Sequence, residues 1–149
     1  MRAKLGLFTE DETDLNLATG LLTAMEGKNV DYTLAFRYLA DAALGREEPI
    51  RALFADPSAY DVWSGHWRAR LAREEVSPLA RAQAMRRVNP AFIPRNHRVE
   101  EALSAAVEHD DYAPFETLLN ILSRPFEDQA EFATFAAPAP EGYGHYRTF

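Results

Sequence analysis

The sequence predicts an all-α protein, an irregular multi-helix bundle of about six to eight helices followed by an extended C-terminal tail. Apolar residues recur every three or four positions through most of the 149 residues, which is the spacing of one helix face. Alternating apolar and polar runs, typical of strands, are hard to find. Capping residues and glycine or proline stops divide the chain into segments of helical length. We therefore expect one helical domain over residues 1–124 and a tail over residues 125–149.

The first full helix is expected to start after Gly6 and to end at Gly27. Thr9 followed by Glu12 has the spacing of a capping box, in which each side chain bonds a backbone N–H of the first turn. The apolar residues expected to face the core are Leu15, Ala18, Leu22 and Met25.

The second helix is expected between Asp31, which can cap its N-terminus, and Gly45, which ends it. Its apolar face consists of Tyr32, Phe36, Leu39 and Ala43. Two further helices begin with a capping residue followed by proline, because proline is tolerated in the first turn. These starts are Asp56-Pro57 and Ser77-Pro78. The first of these two helices presents Tyr60, Trp63, Trp67 and Leu71.

A helical hairpin is expected to follow. Asn89-Pro90 ends the preceding helix, because proline lacks an N–H and disfavours helical geometry in the residue before it, and Pro94 restarts the chain. The apolar residues of the hairpin are Val99, Ala102, Leu103, Ala106, Phe115, Leu118, Leu119 and Leu122. From Pro125 onward the periodicity is lost, and the aromatic residues of this tail are expected to lie in a groove.

The composition is that of a folded protein, with 47% hydrophobic residues and no cysteine. Disulfides, thiolate metal sites and cysteine nucleophiles are therefore excluded. The apolar run near the start is too short for a signal peptide, and no stretch reaches membrane-spanning length. We expect a cytoplasmic protein without a membrane partner.

The net charge of −7 argues against nucleic acid as a partner, but the charge is unevenly distributed. The segment from His66 to Arg98, here called the basic stretch, holds eight arginines against two glutamates, a balance of +6. The rest of the chain stands at −13. These two regions should either attract each other or contact separate partners, and we expect the basic stretch to dock on another region of a larger protein.

The sequence contains only weak matches to motifs that bind phosphate or metal. The one G-x-G is Gly142-Tyr143-Gly144, in the tail, where a chance occurrence explains it better than a nucleotide loop. The best metal candidates are His97 with Glu100 and the run 109–111, His-Asp-Asp. A surface pair and a polar helix terminus explain them more simply. We expect no catalytic, cofactor-binding or metal-binding residue in this chain.

Two other constellations also have simpler explanations. The carboxylate pairs Glu74-Glu75, Glu100-Glu101 and Asp110-Asp111 do not converge, because adjacent helical residues point about 100° apart. We interpret them as solvated helix faces. Tyr60, Trp63 and Trp67 could form a stacking platform for single-stranded nucleic acid beside neighbouring arginines, but their spacing favours a buried helix stripe.

Four segments carry a more specific signature. Residues 87–97 read Arg-Val-Asn-Pro-Ala-Phe-Ile-Pro-Arg-Asn-His, residues 1–7 contain Lys-Leu-Gly-Leu, and residues 31–37 contain Asp-Tyr-Thr and Phe-Arg. Residues 124–132, Arg-Pro-Phe-Glu-Asp-Gln-Ala-Glu-Phe, are the fourth. In this order they resemble the selenoprotein O family, although Arg124 and Ala130 stand where that family usually has Asn and Pro. The motif residues are Asp31, Tyr32, Arg37, Asn89, Pro90, Arg95 and Asn96.

The resemblance implies that the chain is the C-terminal region of a protein adenylyltransferase. Members of that family have a kinase-like core that binds ATP in a flipped orientation with magnesium and transfers AMP to protein hydroxyl groups. ATP and magnesium are thus implied for the parent protein, whose nucleotide-binding and catalytic residues lie upstream of the matched region. The implied partners are that upstream catalytic region and the parent's protein substrates. The alternative is an independent helical module that binds another protein.

The motif residues also have an interpretation from their chemistry alone. Asn89 can bond free carbonyls at a helix end, and Arg95 and Asn96 offer planar donors that tie loops together. A sharper interpretation places Arg95 or Asn96 against the catalytic lobe or its bound nucleotide, since a guanidinium fits a phosphate.

Overall fold

The computed structural model describes residues 1–140. The prediction of an all-α fold is confirmed, because all regular structure in that range is helical. The chain forms two compact units, Met1–Asn89 and Pro90–Phe149. The division expected at residue 124, between helices and tail, stays a prediction.

The first unit begins with a short 3-10 helix, Arg2–Leu5, and continues with five α-helices. These are α1 (Asp14–Met25), α2 (Tyr32–Ala42), α3 (Glu48–Arg51), α4 (Ser58–Leu71) and α5 (Pro78–Arg86). Helix α1 packs on α4, and α2 packs on both α3 and α5. None of the helices in residues 1–140 is both long and apolar enough to cross a bilayer.

The second unit contains the expected helical hairpin, formed by α6 (Asn96–His109) and α7 (Ala113–Leu122). A 3-10 helix, Ala130–Phe132, and α8 (Ala133–Ala136) follow, where the sequence predicts an extended tail. The difference has a physical cause: Phe132 and Phe135 pack on a small apolar cluster of Ala91, Phe92 and Ile121. Residues 141–149, with Gly142 and Gly144, lie outside the described part of the chain.

The helix caps show which local signals determine the structure. Asp31 Oδ1 accepts the Leu34 N–H at 2.8 Å, and Ser77 Oγ accepts the Ala80 N–H at 3.2 Å, as predicted. The predicted capping box at Thr9 is wrong, because α1 begins only at Asp14. The backbone N–H and the hydroxyl of Thr9 instead donate to a carboxylate that lies 65 positions away in sequence.

The core of the first unit is built around the two tryptophans of α4. Their rings stack at 5.5 Å, and the side chains of Trp63 and Trp67 are 5% and 0% exposed. Both indole N–H groups are satisfied by carbonyls, of Leu17 at 2.7 Å and Leu5 at 2.9 Å. The aromatic stripe is therefore core, as its spacing predicted, and its rings are too little exposed to serve as a platform for stacking bases.

The predicted face of α1 is half wrong. Ala18 and Met25 are buried, but Leu15 and Leu22 are 74% and 36% exposed. Helix α1 is apolar on more than one side, and its contact with Trp63 turns Leu17 and its neighbours inward. A helix with more than one apolar side cannot reveal from its own sequence which side is buried.

Candidate functional site

A buried cluster of ionised side chains, here called the Glu74 network, lies where α1, α4 and α5 approach one another. It consists of Asp14, Arg70, Glu74 and Arg81, whose side chains are at most 6% exposed. Arg70 Nε lies 2.8 Å from Asp14 Oδ1, and Arg70 Nη1 lies 3.1 Å from Glu74 Oε1. Arg81 Nη1 lies 2.8 Å from Glu74 Oε2. Each buried charge is thus paired, as burial requires.

The Glu74 network holds the segment that leads into α1. The Glu74 carboxylate accepts the backbone N–H groups of Phe8 at 3.0 Å and Thr9 at 2.9 Å, and the Thr9 hydroxyl at 2.8 Å. Arg70 Nη2 donates to the Thr9 carbonyl at 2.9 Å, and Arg81 donates to the Gly6 carbonyl. The network therefore fixes the segment between the 3-10 helix and α1, where the Phe8 and Thr9 N–H groups bond a side chain rather than a helix carbonyl.

These contacts control the ionisation of Glu74. Burial raises its pKa, but the hydrogen bonds from Thr9, Arg81 and Phe8 outweigh burial and lower the pKa to about 2. Glu74 is thus a buried anion, and its interpretation as part of a solvated helix face is wrong. The sequence held no signal for this role, because the partners Phe8 and Thr9 lie more than 60 positions away.

Two motif residues meet beside this region. Arg37 Nη1 donates to the carbonyls of Arg86 at 3.0 Å and Asn89 at 2.9 Å, at the C-terminal end of α5. Asn89 Nδ2 in turn donates to the Lys4 carbonyl at 2.9 Å, in the 3-10 helix Arg2–Leu5. Asn89 thus bonds a carbonyl at a helix end. Its side chain and that of Arg37 are buried, at 0% and 6% exposure.

The other motif residues are spread through the molecule. Asp31 caps α2, and the half-exposed ring of Tyr32 lies 4.7 Å from that of Phe36. Pro90, Arg95 and Asn96 belong to the second unit, where Arg95 is 8% exposed and Asn96 begins α6. The structure therefore brings Arg37 and Asn89 together within one unit, and a docking role for the motif residues stays a prediction.

Replacing Asn89 by Ala should lower the free energy of unfolding by about 1 to 2 kcal/mol, because the partly buried Lys4 carbonyl loses its donor. Urea unfolding of the purified chain measures this change. Asn120→Ala is the matched control, since Asn120 is exposed on α7, and it should change the stability by less than about 0.5 kcal/mol. Equal effects of the two substitutions would contradict a structural role for Asn89.

The basic stretch is largely paired with acidic residues. Arg86 Nη2 lies 2.8 Å from Asp41 Oδ1, Arg73 Nη1 lies 3.1 Å from Asp11 Oδ2, and Arg68 contacts Glu47. Of the two outcomes open from the sequence, attraction between the basic and acidic regions is therefore realised. Arg70, which was expected to contribute to docking, is buried in the Glu74 network at 4% exposure.

The metal candidates do not form a site. Within residues 1–140, no group of three or more His, Cys, Asp or Glu side chains could hold a metal ion. His97 is 4% exposed whereas Glu100 is exposed, so the two do not share one surface. Burial, with Arg98 nearby, lowers the pKa of His97. His109 ends α6, and Asp110 takes the left-handed conformation (φ 51°) of a helix terminus.

A groove of about 740 Å³, here called the α1–α4 groove, lies on the surface of the first unit. Its floor contains the Trp63 ring, and its walls are mostly small or apolar residues of α1 and α4. Its lining includes Gly20, Ala24, Ala59, Val62, His66 and Arg73. Its volume falls in the range of known binding sites. The groove could not be predicted from the sequence, because the exposed side of α1 was not identified.

The chain is thus a helical protein with a buried ion network and a surface groove. It belongs to the protein adenylyltransferase SelO family, whose model matches residues 1–123. It is 53% identical over 140 residues to the protein nucleotidyltransferase YdiU of Rhodopseudomonas palustris, covering 93% of this chain and 28% of that relative. The protein of the same name from Methylorubrum extorquens is 52% identical over 158 residues, covering all of this chain and 32% of the relative. This chain therefore spans about three tenths of the length of these relatives.

Proposed function

We propose that this chain is the C-terminal, helical accessory region of a protein adenylyltransferase and contributes structure rather than chemistry to AMP transfer. In this proposal the kinase-like catalytic region of the same protein binds ATP and magnesium and transfers AMP to hydroxyl groups of protein substrates in the cytoplasm. The catalytic region is then the chain's principal partner. The family match over residues 1–123, together with the partial coverage of the relatives, supports this assignment.

The hydrogen bonding of the motif residues in the first unit is the observation that carries the proposal. Arg37 donates to two backbone carbonyls, and the Asn89 amide donates to a third. Phosphoryl and nucleotidyl transfer need donors and metal ligands that converge on the phosphates. Side chains that are buried and bonded to the backbone of their own unit are placed to hold the fold instead. The buried side chains of the Glu74 network are likewise bonded to the backbone of their own unit, within residues 6–9.

The purified 149-residue chain should therefore show no saturable heat when MgATP is titrated into it at concentrations up to about 1 mM, because its arginines supply only diffuse attraction. The Rhodopseudomonas palustris relative is the positive control. A chimera, in which this chain replaces the matching region of that relative, should bind MgATP as the relative does.

A second readout separates binding from transfer. Label from α-phosphate-labelled ATP should appear on protein substrates with the chimera and should be absent with the 149-residue chain alone. Saturable MgATP binding in the micromolar range by the chain alone, or transfer of label without the catalytic region, would contradict the proposal.

A further inference from the structure

We propose that the α1–α4 groove is the seat of an amphipathic helix from the remaining part of the adenylyltransferase. This helix has apolar side chains facing Val62 and the groove floor, and an acidic side chain at the end where Arg73 lies. The inference rests on the proposed function and adds to it a contact surface and the chemistry of the segment that covers it.

The two helices that form the groove run antiparallel. Near one end Asp14 of α1 bonds Arg70 of α4 at 2.8 Å, and further along the Leu17 carbonyl accepts the Trp63 indole N–H at 2.7 Å. The order of partners is thus opposite in the two helices. At 12 and 14 residues, α1 and α4 are each about 18 to 21 Å long, room for three to four turns of a third helix. Two antiparallel helices offer such a helix a natural seat.

Small and apolar residues make the groove fit a helix. Ala24 and Ala59 carry short side chains, which let a helix backbone approach closely. Gly20 lets the Trp63 ring lie close to α1, since a Cβ there would lie 3.1 Å from Trp63 Cδ1. Val62 on the wall is 68% exposed. An exposed aliphatic residue is ordinary by itself, but this one shares a groove lining with Leu17, Ala24 and Ala59.

The charge of the groove indicates the charge of its occupant. The chain carries 23 acidic residues and a net charge of −7, yet none of the groove's lining residues in the described part of the chain is Asp or Glu. Arg73, whose side chain is 61% exposed, lies on the lining just beyond the C-terminal end of α4, and the exposed His66 lies nearer the middle of the groove. Arg73 uses Nη1 for Asp11 and keeps further N–H donors for an incoming carboxylate.

The length of the relatives favours an occupant from the same polypeptide. About seven tenths of each relative lies outside the match to this chain. A segment tethered to the groove binds at a high effective concentration and needs only modest affinity. In a two-fold dimer the same patch meets itself, and because no described lining residue of the groove is Asp or Glu, a second copy would bring no carboxylate from that lining to Arg73.

The test compares Val62→Glu with Leu79→Glu, each in the 149-residue chain and in the chimera. Leu79 is the matched control, because it is 61% exposed, lies on α5 and does not line the groove. Hydrogen exchange of α1 and α4 should be at least tenfold slower in the unsubstituted chimera than in the chain alone. Val62→Glu should remove most of that difference without changing the thermal midpoint of the chain, and Leu79→Glu should leave the difference intact.

The charge of the groove is tested at Arg73 in the same chimera. Arg73→Glu should weaken the protection of α1 and α4 from exchange, and Arg73→Lys should retain most of that protection.

Several outcomes would overturn the inference. Equal exchange of α1 and α4 in the chain and the chimera would mean that the groove is uncovered. If another face gained protection in that case, the proposed function would stand and only the groove assignment would fail. Equal effects of Val62→Glu and Leu79→Glu on the exchange of α1 and α4 would also leave the proposed function standing and would remove only the groove assignment. A dimer of the chain alone that Val62→Glu disrupts would assign the groove to a second copy. MgATP binding by the chain alone would instead overturn the proposed function.

Discussion

Replacing Glu74 by Gln should lower the free energy of unfolding by about 3 to 5 kcal/mol, the cost of removing one member of a buried ionic cluster. Glutamine has nearly the same shape, so packing is kept while the charge is lost. The guanidinium groups of Arg70 and Arg81 then lose the carboxylate that neutralises them, and their side chains are only 5% and 3% exposed. The Phe8 and Thr9 N–H groups also lose a charged acceptor.

Urea unfolding at pH 7 measures this effect, and the neighbouring residue supplies the control. Glu75 is exposed, so Glu75→Gln should change the stability by less than about 0.5 kcal/mol. If Glu74→Gln were as mild as Glu75→Gln, the network would not be holding residues 6–9.

The same substitution should alter the pH dependence of stability. The pKa of Glu74 is about 2 in the folded chain against an ordinary value of 4.5, so the folded state holds this proton more weakly than the unfolded state. The resulting stabilisation is complete above pH 4.5 and is lost as the pH falls toward 2. Unfolding measured from pH 7 to pH 3 should show this loss in the parent chain and a shallower slope in the Glu74→Gln variant.

Replacing Trp67 by Ala should lower the free energy of unfolding by about 3 to 5 kcal/mol, because it removes a fully buried ring and leaves a cavity. The Leu5 carbonyl also loses the indole N–H that lies 2.9 Å away. Trp67→Phe, which keeps part of the ring volume but not the donor, should fall between the parent chain and the Ala variant. Tyr112→Ala is the surface control, since Tyr112 is 57% exposed. A Trp67→Ala variant as stable as Tyr112→Ala would contradict the assignment of this ring to the core.

The features that the sequence predicted correctly are governed by near neighbours. Asp31 and Ser77 cap the helices that follow them, because each bonds an N–H only three residues away. The stripe of Trp63 and Trp67 was assigned to the core because residues four apart share one helix face. In both cases the sequence separation that carries the signal is within one helical turn.

The features that could not be predicted depend on distant partners. Thr9 has the spacing of a capping residue, but its N–H and hydroxyl donate to the Glu74 carboxylate instead. Leu15 and Leu22 of α1 were assigned to the core, and only the packing of α4 determines that they face outward. The same limit hid the α1–α4 groove, whose walls come from segments about 40 residues apart.

The candidate site was predicted in part. The chemistry of Asn89 indicated a bond to a free carbonyl at a helix end, and the Lys4 carbonyl is such a group. Which carbonyl it bonds could not be predicted, because Lys4 lies 85 positions away. The basic stretch was recognised from composition, but composition does not reveal that Arg70 and Arg81 are buried between acidic partners.

Whether this chain supports AMP transfer only through its fold is tested most directly by the transfer rate per folded molecule of the chimera carrying Asn89→Ala. The variant should unfold at lower temperature, and its kcat and its KM for ATP, corrected for the folded fraction, should equal those of the unsubstituted chimera. That result is expected because the Asn89 amide group donates to the Lys4 carbonyl within its own unit. A variant that melts normally but loses transfer activity would place Asn89 in the reaction and contradict a purely structural role.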